Sequence, residues 1–291
     1  MIKRRRLLIT GGHGRLARVV APRFAEVGWD VHSPGHRELD ITDPAAVAAA
    51  VEQLQPEAVL NLAAITDVNT CEIRPEAALA VNATGVANIA AACHSSAARL
   101  FHVSSDYVFD GVQERPYSES DRVNPISVYG RSKLAGELAA GDDATVVRTA
   151  WVCGRYGRDA VQWVLDQARE PGRILRFVDD QLGSPTVADD LADMLVLLVE
   201  ANACGTYHVT NQGTGTWFDL ARHVLDVAGE DPSRVVPITT GQLDPPSIAR
   251  RPAQSVLDNA ALRAAGVPLL RDWRAAFAEL VERITVSPEP V

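Results

Sequence analysis

A short apolar run that ends in glycines, Leu7-Leu8-Ile9-Thr10-Gly11-Gly12-His13-Gly14, followed at once by an amphipathic stretch, narrows the folds open to this chain more than any other feature. Residues 6–10 read as a buried strand. Residues 16–27 read as a helix, with Leu16, Val19, Val20, Phe24 and Val27 at helical spacing. Glycines at such a strand-to-helix turn let the backbone approach a phosphate. The first N–H groups of the helix and its positive dipole end then favour the anion. Gly11, Gly12, His13, Gly14, Arg15 and Leu16 are therefore the expected seat of a dinucleotide pyrophosphate. The spacing is G-x-x-G-x-x-A, with Ala17 at the third small position, where the helix packs on the strand. A plain tight turn uses glycines too; the strand before and the helix after favour the cofactor reading.

The same alternation continues. Strands are expected at 30–33, 58–63, 100–104 and 145–149, with helices from Pro44 to about 54 and at 75–95 and 126–140. Strand, helix, strand in series, with strands apolar on both faces, means α/β: a Rossmann-type doubly wound parallel sheet. After Trp151 the pattern loosens. Helices are expected near 158–169, 187–201, 216–229 and 271–285, and strand-like runs at 174–178 and 206–209. Residues 1–150 thus read as a dinucleotide-binding domain joined by parts of 174–200. Residues 151–291 read mainly as a smaller, discontinuous substrate lobe, with 287–291 a frayed tail.

Composition excludes several other classes. A chain of 291 residues with 47% hydrophobic and 22% charged residues can bury a large core. A net charge of −9 argues against nucleic-acid binding, and the basic run Lys3-Arg4-Arg5-Arg6 reads as a solvated terminus. There is no run of 18 apolar residues and no signal-peptide core, so no membrane partner is expected. Cys71, Cys93, Cys153 and Cys204 are scattered, which suggests neither a zinc site nor a disulfide framework but reduced thiols in a cytoplasmic protein.

The candidate chemistry lies in Tyr129-Gly130-Arg131-Ser132-Lys133, with Ser104-Ser105-Asp106 upstream. Tyr129 and Lys133 are one helical turn apart. A nearby ammonium is expected to lower the phenol's pKa, and the Ser105 hydroxyl to hold a substrate oxygen beside it: a general acid/base for interconverting alcohol and ketone. The spacing alone is common on solvated helices; the glycine loop upstream gives it weight. An acid about 20 residues beyond the glycines would hold the ribose of NAD. Asp30 fits by count but begins its strand, whereas the ribose meets the far end. There the chain reads Ser33-Pro34-Gly35-His36-Arg37. His36, Arg37 and Arg15 suit a 2′-phosphate, so NADPH is preferred, with NADH open. Asp40-Ile41 falls next, against the adenine.

These pieces resemble the extended short-chain dehydrogenase/reductases, and within them the dTDP-4-dehydrorhamnose reductase family. Beyond the glycine loop and the Tyr/Lys pair, the resemblance is carried by Leu39-Asp40-Ile41-Thr42-Asp43 and by Asn61-Leu62-Ala63-Ala64-Ile65-Thr66-Asp67-Val68. Val81-Asn82-Ala83-Thr84-Gly85, Pro116-Tyr117-Ser118-Glu119 and Arg148-Thr149-Ala150-Trp151-Val152 add to it. The more specific runs are Ser105-Asp106-Tyr107-Val108-Phe109-Asp110-Gly111 and Asp180-Gln181-Leu182-Gly183-Ser184-Pro185-Thr186, with Arg251-Pro252. The resemblance implies that Tyr129 donates a proton to the sugar C4 oxygen, that Ser105 binds that oxygen, and that Lys133 holds the nicotinamide ribose. It implies cofactor contacts at Leu62, Ala63, Ala64, Thr66 and Asn82. Substrate contacts are implied at Asp106, Tyr107, Trp151, Gln181, Ser184 and Arg251, with Arg250 beside it. Ala17 and Cys153 depart from the family pattern, Cys153 standing where an aromatic is frequent. The implied activity is NAD(P)H-dependent reduction of the C4 ketone of a dTDP-4-keto-6-deoxyhexose. Alternatives are a reductase of another nucleotide-linked deoxysugar, or a non-catalytic regulatory subunit like methionine adenosyltransferase β. The resemblance admits a homodimer and a bridging Mg²⁺ for which the sequence offers no assignable ligands.

Overall fold

The computed structural model describes residues 5–286. Lys3, Arg4 and the expected tail at 287–291 lie outside them. The first strand, β1 (Arg6–Thr10), is followed by α1 (Arg15–Glu26), β2 (Asp30–His32), α2 (Pro44–Leu54) and β3 (Ala58–Asn61). Then come α3 (Val68–Ile73), α4 (Pro75–Leu79), a π-helical turn (Ala80–Thr84), α5 (Gly85–Ser96), β4 (Arg99–Ser105), α6 (Val128–Ala140) and β5 (Thr145–Thr149). These strands form a six-stranded sheet with the strand Gly205–His208 at one edge, followed by β5, β4, β3, β1 and β2. Every pairing in it is parallel.

The strand order reverses at β1, which pairs with β2 on one side and β3 on the other. At such a reversal the two crossover connections leave in opposite directions and open a crevice beyond the carboxyl ends of the strands. The apolar alternation of α1 buries Ala17, Val19, Val20 and Phe24 against the helix Ala188–Glu200 and one face of the sheet. On the other face lie α2, α5 and Ala140 of α6, around Leu8, Val59 and Leu100. A separate core gathers the helices Ala160–Ala168, Trp217–Val227 and Trp273–Val286 around Leu175 and Val235.

The strand-like run near 206–209, expected in the later lobe, forms the strand Gly205–His208 and completes the central sheet by pairing with β5. Of the 174–200 segment, parts of which are expected to join the first domain, the helix Ala188–Glu200 packs on α1, while Leu175–Val178 pairs with Val235–Ile238 outside the central sheet. The absence of a long apolar stretch also needs refining. The helical run Pro75–Ser96 spans 22 residues, and an 18-residue window within it has a mean hydropathy of 1.2, long and apolar enough to cross a membrane by length and composition alone. Here it is a core element, with Val86, Ile89, Ala92 and Cys93 buried under the sheet.

The new edge strand carries a buried His208. Its ring Nδ1 lies 3.1 Å from the Tyr117 and Asp258 carbonyl oxygens, and its Nε2 lies 3.5 Å from Nη1 of Arg148. Nδ1 is thus the donor and Nε2 the acceptor. A second proton would face the guanidinium, and burial with Arg148 pushes the imidazole down to about 3. A histidine acidified by folding contributes stability that is complete above its unfolded value near 6.5 and is lost as pH falls towards 3. Between pH 7.5 and 5.5, urea unfolding of His208→Gln should show a decline in stability smaller than wild type by about 1 kcal/mol. Equal declines would remove His208 from the acid response.

Candidate functional site

The glycine loop is shaped by contacts a side chain would block. Gly11 has φ of +70°, and a Cβ there would come within 2.8 Å of Cα of Ala63. Gly12 lies against Ser33, donating its N–H to the Pro34 carbonyl at 2.8 Å. Gly14 caps α1 without a side-chain hydrogen bond, and the first turn holds no acidic residue. The first amides of α1 therefore face open space at a positive dipole end. Two cavities of about 350 and 460 Å³ meet here, sharing Gly11, His13, Gly14, Leu62 and Ala64. The first adds His36, Leu39, Asp40, Ile41 and Ala63. The second adds Arg15, Leu16, Thr66, Ser105, Tyr129, Trp151 and Cys153. An uncapped helix end between an apolar slot and a polar chamber fits a nicotinamide dinucleotide: adenosine in the first, pyrophosphate at the glycines, nicotinamide in the second.

Not every expected cofactor residue lies there. Gly12 faces β2's outgoing loop, so its role is to let β1 and that loop pass closely. Asn82, in the π-helical turn, is fully buried and clamps the chain after β3. Its Oδ1 accepts from Ile65 N at 2.8 Å, and its Nδ2 donates to the Ile65 carbonyl and the Ser132 hydroxyl, both at 2.9 Å. Of the three cations expected near a 2′-phosphate, His36 lines the first cavity and Arg37 is exposed in the same loop. Arg15 points the other way: it lies over Gly157 and donates to the Arg158 carbonyl at 3.2 Å, bordering the second cavity.

The candidate chemical groups converge because α6 docks on the turn after β4. Ser127 caps α6 by accepting from Gly130 N at 3.1 Å, and Gly130 leaves room for the Tyr107 carbonyl. Tyr129 is buried edge-on against Tyr107, with centroids 5.5 Å apart. Ser105, at the end of β4, accepts from Tyr107 N at 3.2 Å and donates to Oδ1 of Asp106 at 2.9 Å. Asp106 is fully buried, and its second oxygen accepts from the Ser255 hydroxyl at 2.6 Å. Burial raises its carboxyl to about 6, opposed by these two hydroxyls. Lys133 donates through Nζ to the Val103 carbonyl at 2.8 Å, and burial pulls it down to about 8.

The expected acidification of Tyr129 by Lys133 is not what this structure contains. Burial pushes the phenol well above its ordinary value; the Ser105 hydroxyl works against the rise, while Asp106, Tyr107 and Cys71 add to it. The lysine is turned to the β4 backbone instead. A phenol so placed keeps its proton at neutrality and is poised to donate it to an oxygen that gains negative charge.

Trp151 walls the second cavity. It adopts φ of +49°, stacks on Trp217 with centroids 4.0 Å apart, and lies over Gly183. Gln181 and Ser184 are buried but line neither cavity. Gln181 Nε2 donates to the Thr240 hydroxyl at 2.9 Å, and Ser184 accepts from Leu257 N at 3.2 Å. Arg251 donates through Nη1 to the Tyr107 hydroxyl at 3.1 Å. Sequence reasoning missed Ser255, the partner of Asp106, and Asp159. The latter caps the helix Ala160–Ala168 through a reciprocal bond with Gln162 and borders the second cavity. The Asp-x-x-Gln spacing announced that cap; nothing local announced Ser255. Among the described residues no three His, Cys, Asp or Glu side chains gather as a metal site.

Residues 5–286 match the family model described as RmlD substrate binding domain. A dTDP-4-dehydrorhamnose reductase of Streptomyces griseus is 42% identical over 285 residues, covering 95% of this chain and 93% of the relative. A dTDP-4-keto-6-deoxy-D-glucose reductase of Streptomyces niveus is 40% identical over 280 residues, 94% and 96% of the two chains. The crystal structure of dTDP-4-dehydrorhamnose reductase from Bacillus anthracis in complex with NADP superposes with a TM-score of 0.90 at 31% identity, covering 97% of this chain and 99% of that one.

Proposed function

This chain belongs to the RmlD substrate binding domain family, and from that premise we propose that it is an NADPH-dependent reductase of dTDP-4-dehydro-L-rhamnose, yielding dTDP-L-rhamnose. The observation that carries the reading is the opening of Ser105 and Tyr129 into the chamber that begins at Gly11 and Gly14. A keto-sugar held there lies between a proton donor and the end of the cofactor site.

When bound, the reduced nicotinamide supplies the hydride that adds to sugar C4. The protein's part is to place the ketone and protonate it. The Ser105 hydroxyl bonds the C4 oxygen; Tyr129 gives that oxygen its proton as negative charge develops. Because burial keeps the phenol protonated, the acid is ready before the sugar arrives. Asp106 holds Ser105 in its rotamer, and Trp151 lies along the sugar. His36 and the exposed Arg37 receive the 2′-phosphate, which favours NADPH over NADH. Arg251, fixed on Tyr107, faces the diphosphate of the sugar nucleotide. Residues 5–149, with the helix Ala188–Glu200 and the strand Gly205–His208, act as the cofactor half. The intervening and later segments act as the sugar half.

The test is oxidation of NADPH and of NADH with dTDP-4-dehydro-L-rhamnose made in situ from dTDP-glucose, with the product identified by NMR. Formation of dTDP-L-rhamnose, faster with NADPH, is the expected result. Cofactor binding without turnover would overturn it. Cys153 on the chamber wall favours one second reading, an altered sugar pocket serving another dTDP-4-keto-6-deoxyhexose. Turnover of dTDP-4-keto-6-deoxy-D-glucose alone would select it.

A further inference from the structure

We propose that Ser255 is a positioning residue for the Ser105 hydroxyl, acting through the carboxylate of Asp106 so that Ser105 can turn its proton to the C4 oxygen. The proposal rests on the role given to Ser105 above. The three side chains form one chain of hydrogen bonds. Ser105 Oγ donates to Oδ1 of Asp106 at 2.9 Å, and Ser255 Oγ donates to Oδ2 at 2.6 Å. All three residues are buried. Ser105 lines the second cavity, while Asp106 and Ser255 line neither and lie behind it.

A hydroxyl has one proton to give. In this structure the proton of Ser105 goes to Asp106. A ketone oxygen only accepts, so holding one requires Ser105 to turn that proton away from the carboxylate. Ser105 can do so without moving its oxygen, which is fixed by accepting from Tyr107 N at 3.2 Å. The obstacle is Asp106, because a buried carboxylate resists losing a donor, and resists more the fewer donors remain. Ser255 supplies the side-chain donor that stays. Its hydroxyl makes the shorter of the two contacts, and it opposes the effect of burial on Asp106 more than Ser105 or the nearby backbone N–H groups do.

Ser255 is brought to Asp106 by a backbone pinned on both sides. On one side Ser255 N donates to the Leu182 carbonyl and Leu182 N to the Ala253 carbonyl, both at 2.8 Å. On the other, Tyr117 N donates to the Val256 carbonyl at 2.8 Å and Asp258 N to the Tyr117 carbonyl at 2.7 Å. Leu257 N adds its bond to the Ser184 hydroxyl at 3.2 Å. Val256 and Leu257 are buried apolar residues, so Ser255 places a hydroxyl beside an otherwise apolar run. The Gln181–Thr186 stretch, expected against the substrate, thus reaches the site at one remove: it holds the segment that carries Ser255.

The test is a double-mutant cycle on kcat/KM for the dTDP-4-keto sugar at saturating NADPH, with wild type, Ser105→Ala, Ser255→Ala and the double variant. NADPH affinity is followed separately by fluorescence and should not change. Ser105→Ala should lower kcat/KM by about 10²-fold, as loss of a donor to a developing oxyanion does. Ser255→Ala should lower it by about tenfold, the order of one hydrogen bond to a charged group. The double variant should lie within about twofold of Ser105→Ala, because Ser255 has nothing to act on once the Ser105 hydroxyl is gone. A merely structural role would carry the further tenfold loss into the double variant. That additivity, or a Ser255→Ala enzyme equal to wild type, would overturn the proposal. If Ser255→Ala does not fold, Ser255→Cys, which keeps the shape with a weaker donor, takes its place in the cycle with a smaller loss expected. The levels separate. A wild type that reduces neither dTDP-4-dehydro-L-rhamnose nor dTDP-4-keto-6-deoxy-D-glucose removes the functional reading and this proposal with it. Wild-type turnover by Ser105→Ala removes the role of Ser105, and again the proposal. An additive cycle in an active enzyme removes the role of Ser255 alone.

Discussion

Tyr129→Phe should lower kcat by about 10³-fold, the effect of removing a positioned general acid, and leave NADPH affinity within about twofold of wild type. The substitution deletes one oxygen and keeps the ring. The edge-on contact with Tyr107 at 5.5 Å and the packing of α6 against the turn after β4 are therefore retained. The glycine loop and the His36 side of the crevice are untouched. The loss thus lies in the chemical step. Single-turnover oxidation of NADPH, with cofactor affinity followed by fluorescence, distinguishes the outcomes. Near wild-type turnover would mean that another group protonates the C4 oxygen. Weakened cofactor binding would mean that the phenol is chiefly a binding contact.

The second large effect is expected at Gly12. A Cβ there would lie 1.9 Å from the Ser33 carbonyl oxygen and 2.4 Å from its carbon. Rotating a side chain cannot relieve this, because the opposing atoms are backbone. Gly12→Ala must push β1's outgoing turn away from the loop after β2 and break the bond from Gly12 N to Pro34 O at 2.8 Å. We expect a loss of about 3 kcal/mol, at the upper end for overpacking. For a chain of this size that corresponds to a fall in Tm of roughly 5 °C. NADPH should bind at least tenfold more weakly, because the displaced turn carries Gly11 and Gly14 with it. Calorimetry with and without NADPH reads both. A Tm within a degree of wild type would mean that the loop after β2 yields easily.

Gly12 also shows how far the sequence could be read. The glycine spacing told that backbone must pass backbone near a strand end, but not which glycine meets the ligand and which meets Ser33. The alternation of apolar strands and amphipathic helices told the sheet and the five strands through Thr149, because each carries its period in its own residues. It did not tell that Gly205–His208 joins β5, because strand partnership is settled by contacts between distant segments. The site followed the same division. Ser105, Tyr129 and Trp151 stand where local motifs put them. The partners that fix their environment lie far along the chain: Ser255 on Asp106, Thr240 on Gln181, Leu257 on Ser184. The direction of the tyrosine's shift divides in the same way. Spacing puts a lysine within a turn of it, but burial, with the neighbouring Asp106 and Tyr107, raises the phenol, and these are visible only in three dimensions.

The late arrival of the sheet's last strand has a consequence for biosynthesis. β5 ends at Thr149, and its outer neighbour begins at Gly205. At ribosomal speeds of about 5–20 residues per second, the intervening stretch takes roughly 3–11 s to emerge. Throughout that interval the half-made protein presents an apolar strand with one row of unpaired amides and carbonyls, a template for pairing with another nascent chain. Polysomes crowd such half-made sheets together. The yield of this protein should therefore depend on how quickly translation passes residues 150–204 and on chaperones that shelter β5 meanwhile. Slow codons placed in that stretch should cost soluble protein, while the same codons placed after His208 should not.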